Sequence, residues 1–255
     1  MGIHPGYEHL REWIGNLPGE DPNTFKVIRN HRNTLFKATV DRKMYVVKRF
    51  KRPNPFNRIV YSFLRRSKAR RAYEYAERLL DRGIETAAPV AWIEIRKKGL
   101  FHTGYFVSEY LSDPLLEEVE NHYDRDRILD DFARFTAGLH LRGIVHGDYN
   151  VGNILFRQQN GKYRFAVIDN NRIRFRKPSR QGCVNELKRT GLPTPSLVRV
   201  ADQYALIRGW NPDIFCGKIL LRRGLDIKGR LKKEFKSQIH QISLFWEEHF
   251  NYAHR

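Results

Sequence analysis

Acidic residues are in short supply in this 255-residue chain: 28 Asp and Glu stand against 47 Lys and Arg, a formal net charge of +19 and an isoelectric point of about 10.1. Such a field concentrates polyanions at the surface, so nucleic acid, an anionic membrane and a phosphorylated substrate are all candidate partners, and charge alone does not choose among them. Cysteine is scarcer still. Cys183 and Cys216 are the only two; neither has metal-ligand spacing, a disulfide framework is excluded, and a reducing compartment fits. No run approaches the ~18 consecutive apolar residues of a membrane-spanning helix, and the opening MGIHPGYEHLREW lacks a basic stretch followed by an apolar one. The expectation is therefore a protein made and kept in the cytoplasm, touching a membrane only peripherally. Repeats and low-complexity segments are absent, as are helix-turn-helix, zinc and aromatic-basic motifs, so no nucleic-acid partner is expected. Against these absences, 41% hydrophobic and 13% aromatic residues suffice to fill a core.

A short helix is expected around residues 9–15, before the breakers Pro18, Gly19 and Pro22. The pattern then changes to short β-branched and aromatic runs at 25–29, 34–40 and 44–50, separated by polar clusters, which reads as an antiparallel meander. Past Pro53 and Pro55, Tyr61, Leu64, Ala69, Tyr73, Ala76 and Leu80 recur at three- and four-residue spacing and predict one or two helices over 57–82, stopped by Gly83. Two more strands are expected at 90–95 and 103–110. The second half reads as mostly helical: a helix over 125–142 ending at Gly143, a hairpin turning at Asn160-Gly161, and an amphipathic last helix over 232–249.

One segment carries chemistry. Phosphoryl transfer demands positioning and charge neutralisation more than covalent chemistry, so it needs a carboxylate at the nucleophile, metal ligands, and a cation on the phosphates. In His146-Gly147-Asp148-Tyr149-Asn150-Val151-Gly152-Asn153 a helix ends just upstream, an aspartate follows in a loop, and an asparagine five residues on opens an apolar strand. This segment resembles the catalytic loop of protein-kinase-like enzymes, with His-Gly-Asp in place of His-Arg-Asp. The resemblance implies ATP and Mg2+ as cofactors, Asp148 as the group that orients and deprotonates the acceptor hydroxyl, and Asn153 as a metal ligand. Asp169, at the end of Phe165-Ala166-Val167-Ile168, would be the second metal ligand. Lys48 in Met44-Tyr45-Val46-Val47-Lys48 resembles the strand lysine that holds the α,β-phosphates, alternating onto the face opposite Val47, with Glu74 or, less favoured, Glu77 as its ion-pair partner. By position, the backbone of Glu109 and Leu111 would bond adenine. The glycine-rich phosphate loop is missing: Ile28-Arg29-Asn30-His31-Arg32-Asn33 stands in its place, leaving Asn30, Arg32 and Asn33 as side-chain substitutes.

The arginine of His-Arg-Asp and a long activation segment are both absent. Instead, the order Ser67-Lys68-Ala69-Arg70-Arg71, Arg82-Gly83-Ile84, His146-Gly147-Asp148, Ile168-Asp169-Asn170-Asn171-Arg172 and Val184-Asn185-Glu186-Leu187 resembles the lipopolysaccharide kinase family, the Kdo and heptose kinases of the inner core, over residues 25–190. That resemblance implies an α+β, protein-kinase-like two-lobe fold: an N-terminal lobe at 1–111, with 1–24 an extension and a five-stranded antiparallel sheet, and a helical C-terminal lobe at 112–255. It further implies an anionic glycolipid or sugar acceptor at the cytoplasmic face of the inner membrane. Arginines and lysines at 65–71, 172–177 and 222–223 suit such an acceptor. The alternatives are a protein or small-molecule kinase of the same fold, and an inactive kinase-like module that binds anionic glycolipid.

Overall fold

A computed structural model describes residues 1–19, 26–30 and 33–250. The expected meander is formed by β2 (Lys26–Asn30), β3 (Asn33–Val40) and β4 (Lys43–Phe50). Two longer strands, β6 (Pro89–Lys97) and β7 (Leu100–Glu109), complete the five, and the order across the sheet is β6-β7-β4-β3-β2. A sixth strand, β1 (Gly2–Ile3), was not anticipated. It adds at the outer edge of β6, with Gly2 opposite Trp92, and a β-carbon at Gly2 would lie 2.5 Å from the indole nitrogen.

Each face of the sheet carries a cluster of buried apolar side chains. Helix α1 (Arg11–Asn16) continues a 3-10 turn, and Leu10, Ile14 and Leu17 pack against Phe36, Tyr45, Val47, Ile93, Tyr105 and Val107. Residues 1–19 are thus part of the core rather than an appendage. The opposite face carries Phe50, Trp92 and Phe106 and is covered by α3 (Lys68–Leu80) through Ala69 and Ala72. Helix α3 starts where Ser67 accepts the Arg70 N–H at 3.2 Å, a cap worth about 1 kcal/mol, and it stops before Gly83 at φ +67. Between sheet and α3, α2 (Pro55–Ile59) runs into a single π-helical turn over Val60–Leu64.

The second half is organised around α4 (Arg125–Leu141), whose Ile128, Phe132, Ala133 and Ala137 are fully buried. Gly143, at φ +69, ends it as expected. Two short sheets flank the loop that follows: β8 (Ile144–Val145) pairs with β11 (Arg174–Phe175), while β9 (Ile154–Gln159) and β10 (Lys162–Val167) form the expected hairpin, joined by β5 (Glu85–Thr86). Asn160 and Gly161, at φ +51 and +71, make the two-residue turn with both central residues left-handed. Helices α5 (Arg180–Leu187) and α6 (Thr194–Ile207) close this core. The last helix begins 20 residues before the expected start at 232: α7 spans Pro212–Phe250, 39 residues. Its first turns explain the difference, because Pro212 sets the entry and Phe215 and Ile219 are buried in the core.

Candidate active site

The loop 146–153 is held by its neighbours on every side. His146, 2% exposed, contacts the Ile168 carbonyl through Nε2 at 2.9 Å, so Nε2 carries the proton. The Ile168 N–H in turn donates to the Asn153 carbonyl at 2.9 Å. The residue before Asp169 is thereby tied to both ends of the loop that bears Asp148. Asn153 Nδ2 donates to the Asp148 carbonyl at 2.9 Å, which leaves Oδ1 as its free-facing ligand atom. Gly147, at φ +77, brings its backbone against Arg172; a β-carbon there would lie 2.7 Å from the Arg172 carbonyl oxygen. That close approach is why glycine stands between His146 and Asp148.

Asp169 occupies a left-handed conformation, φ +61 and ψ +51, uncommon for a residue with a side chain. Its carboxylate receives the Asn171 amide and pairs with Lys48 Nζ at 2.6 Å. Burial opposes its ionisation, but Lys48, by charge and hydrogen bond, with His146 and Arg172, holds it below the usual carboxylate range. Asp148 is 40% exposed, and Arg172 approaches it at 3.6 Å.

The strand alternation puts Lys48 on the α3 face, 8% exposed, as read from sequence. The expected pair with Glu74 is not formed. Arg66 and Arg70 hold the Glu74 carboxylate at 2.6 and 2.9 Å, while Lys48 is on Asp169. Helix phase is the reason. Positions 68, 71, 72 and 75 share the face of α3 nearest the Asp169 turn, and 70, 74 and 77 lie about a third of a turn or more away. Glu77 likewise makes no ion pair with Lys48, which is engaged by Asp169. The α3 residues that do face the site, Lys68 and Arg71, are basic and belong to the 65–71 run that suits an anionic acceptor. Lys68 still meets solvent, yet partial desolvation, then Arg172 and Arg71, lower its pKa while Asp169 pulls the other way. Arg71 is 8% exposed, with its Nε unpartnered among the described residues. Lys48, Lys68, Arg71 and Arg172 thus outnumber the two carboxylates, a balance suited to a polyphosphate.

A second support lies beneath the loop. Glu186, 5% exposed, accepts the Gly147 N–H at 2.8 Å with one oxygen and meets His140 Nε2 at 3.1 Å with the other. His140 Nδ1 contacts the Tyr204 hydroxyl at 2.7 Å, which Arg208 also reaches at 2.7 Å. Burial disfavours charge on His140, but its hydrogen bonds with Cys183 and Glu186 raise its pKa.

Glu109 closes β7. Its N–H is committed to the Ala88 carbonyl at 2.9 Å and its Oε1 receives the Tyr7 hydroxyl at 2.9 Å; Leu111 follows two residues on. Asn33 Oδ1 accepts the Lys51 N–H, while His31 and Arg32 of the first loop lie outside the described residues. Among the described residues no cluster of three or more His, Cys, Asp or Glu could cage a metal. One carboxylate and one amide oxygen, Asp169 and Asn153, instead match the sparse protein ligation of a magnesium ion that shares its shell with phosphates. A cavity of about 810 Å3 lies elsewhere, between the N-terminal segment and the outer face of α3, around Tyr7, Arg66, Glu74 and Pro89.

Comparison with known proteins adds a family and a fold. The model of the lipopolysaccharide kinase (Kdo/WaaP) family matches residues 13–208. No curated protein matches. A solved structure described as WaaP in complex with acyl carrier protein superimposes with a TM-score of 0.55 at 19% identity, covering 93% of this chain and 99% of that one. One described as the bifunctional kinase-methyltransferase WbdD gives 0.44 at 19% identity, over 74% of this chain and 42% of that one.

Proposed function

The chain belongs to the lipopolysaccharide kinase (Kdo/WaaP) family, and on that premise we propose that it transfers the γ-phosphate of ATP to a hydroxyl of Kdo or heptose in the lipopolysaccharide inner core. It is an ATP-dependent kinase with a protein-kinase-like α+β fold. In this reading residues 1–111 and 112–255 are the two lobes, supported by one apolar cluster around the large sheet and another around α4, the latter also taking in Leu79 and Ile84 at the end of α3.

Asp148 takes the proton of the acceptor hydroxyl as its oxygen bonds the γ-phosphorus and the bond to the β-phosphate oxygen breaks, releasing ADP. Arg172, beside Asp148, keeps that carboxylate oriented and meets charge on the moving phosphoryl group. Lys48 serves the α,β-phosphates, and the backbone of Glu109 and Leu111 meets adenine. Asn153 and Asp169 would hold a magnesium ion, which when bound neutralises the phosphate oxygens. Glu74, engaged with Arg66 and Arg70, has no part in this set. The surplus of cations around the site fits an acceptor that is itself anionic, lipid-borne and met at the cytoplasmic membrane surface.

The observation that carries the reading is the convergence of Lys48, Asp148, Asn153 and Asp169, from three separate elements, through the Lys48–Asp169 pair and the Asn153–Asp148 bond. It is tested by incubating the protein with ATP and magnesium and either Kdo-bearing lipid A or its heptose-extended form, with Asp148→Asn as control. Transfer to one of them, lost in the variant, is expected and identifies the sugar. Nucleotide binding without transfer to either refutes the acceptor assignment.

A further inference from the structure

The family match ends at residue 208, and α7 begins at 212. Phe215 and Ile219 root this helix in the core, but among the described residues none beyond Ile219 joins a core cluster. Over the next turns large apolar side chains face water: Leu221, Leu225, Leu231, Phe235, Ile239 and Ile242 are 50–65% exposed. At 3.6 residues per turn these six fall within an arc of about 120°, a continuous stripe and not a scatter. Arg222, Arg223, Arg230, Lys233 and Lys236 lie on the remaining circumference. Residues 221–240 hold seven Lys and Arg against two Asp and Glu. An exposed stripe of this extent marks an interaction surface.

The charges decide what covers it. Lys228 and Lys232 fall inside the apolar arc. In a helix–helix seam with a second copy they would be buried like charges, whereas at a lipid surface their long stems lie along the acyl boundary while the ammonium groups reach anionic headgroups. Among the described residues no helix is apolar enough to cross a membrane, so the helix would lie in the surface plane. Its position relative to the catalytic loop is also fixed. Arg223 donates to the Leu192 carbonyl at 2.8 Å and Asp226 pairs with Lys188 at 2.6 Å, while Val151, three residues after Asp148, donates to the Thr190 carbonyl at 2.8 Å. Residues 188–192 therefore brace α7 and the catalytic loop from the same short segment.

We infer that α7 is a membrane-docking helix: its apolar stripe enters the headgroup–acyl boundary of an anionic lipid surface, its basic flank binds lipid phosphates, and the brace at 188–192 holds Asp148 near acceptors presented at that surface. The purpose of the docking rests on the lipid-borne acceptor of the proposed function; the docking itself does not.

The test separates the two. The full chain, without nucleotide or acceptor, is floated with vesicles of phosphatidylethanolamine and phosphatidylglycerol, and with vesicles of phosphatidylcholine alone, at low and high salt. Flotation with the anionic vesicles, weakened by salt, is expected. Leu231→Glu with Phe235→Glu, and separately Lys233→Glu with Lys236→Glu, should each lower the bound fraction by about tenfold or more. Both double variants should keep wild-type turnover on a delipidated, water-soluble core sugar and lose turnover on the vesicle-embedded acceptor in step with binding. Wild type that ignores anionic vesicles, or variants that bind as well as wild type, overturn the inference. So does a wild-type dimer that the stripe variant breaks without any vesicle binding, since the stripe then belongs to a second copy. Vesicle binding with no transfer to any core sugar would leave the docking standing and refute the acceptor assignment.

Discussion

Removing the Glu186 carboxylate should damage both stability and turnover, and the two effects can be read apart. Glu186→Ala leaves the Gly147 N–H without an acceptor in a buried site, a loss of about 1–3 kcal/mol. It also removes the partner of His140, and where that imidazole is protonated, breaking a buried pair by deleting one member costs about 3–5 kcal/mol in all. For a chain of this size, that corresponds to a melting temperature lower by about 6–20 °C. If the whole hydrogen-bond loss reaches Asp148, the step it serves slows by about 5- to 150-fold. Glu186→Gln is the discriminating partner. Its amide carbonyl can still accept from Gly147, so kcat should stay within several-fold of wild type, while the lost charge still lowers the melting temperature. The assay is initial-rate phosphate transfer at saturating ATP, beside thermal unfolding of each variant. An Ala variant that melts with wild type, or Ala and Gln variants with equal kcat, would refute the argument that this carboxylate holds the loop through Gly147.

Four further outcomes follow from the same geometry. Asp148→Asn should reduce transfer by about 10³-fold or more while nucleotide affinity, measured by calorimetry, changes little, because the role proposed for Asp148 is at the acceptor and not at the nucleotide. Asp169→Asn should abolish the magnesium dependence of nucleotide binding, and an unchanged magnesium titration would remove Asp169 from the metal site. The folded-state pKa of His140 is raised, so the stability of its pair with Glu186 is complete below the ordinary histidine value of about 6.5 and lost as pH rises through the folded value; the melting difference between wild type and His140→Gln should shrink with rising pH. Gly147→Ala should be poorly folded or inactive, since φ +77 and the 2.7 Å approach to the Arg172 carbonyl leave no room for a β-carbon; a normal melting curve with normal turnover would contradict this.

What the sequence disclosed depended on whether a feature is contiguous. The loop 146–153 was legible because its chemistry needs Asp and Asn at a fixed short spacing, and the turn at Asn160-Gly161 because only certain residues tolerate two left-handed positions. Lys48 could be given a face because strand alternation has a period of two. Glu74 could not be placed, since one position along a helix is 100° of rotation and the pattern of α3 did not fix its phase. Glu186 and His140 were invisible as site residues. Glu186 reaches the loop across 39 residues of chain, with His140 behind it, through packing alone, and nothing local distinguishes a buried Glu186 from a solvated one. The start of α7 was missed for the opposite reason: its first turns pack into the core and its later ones do not, so no single periodicity spans it.

The Tyr7–Glu109 hydrogen bond links distant parts of the chain in an unusual way. Tyr7 belongs to the segment that starts as the sixth strand and continues into α1, and Glu109 is the strand end proposed to meet adenine. The N-terminal segment is therefore an external splint on the end of β7, where the proposed nucleotide hinge lies. Loosening it, by Tyr7→Phe or by displacing β1 from Trp92, would be felt first as a change in preference among nucleotide bases, before any loss of the fold.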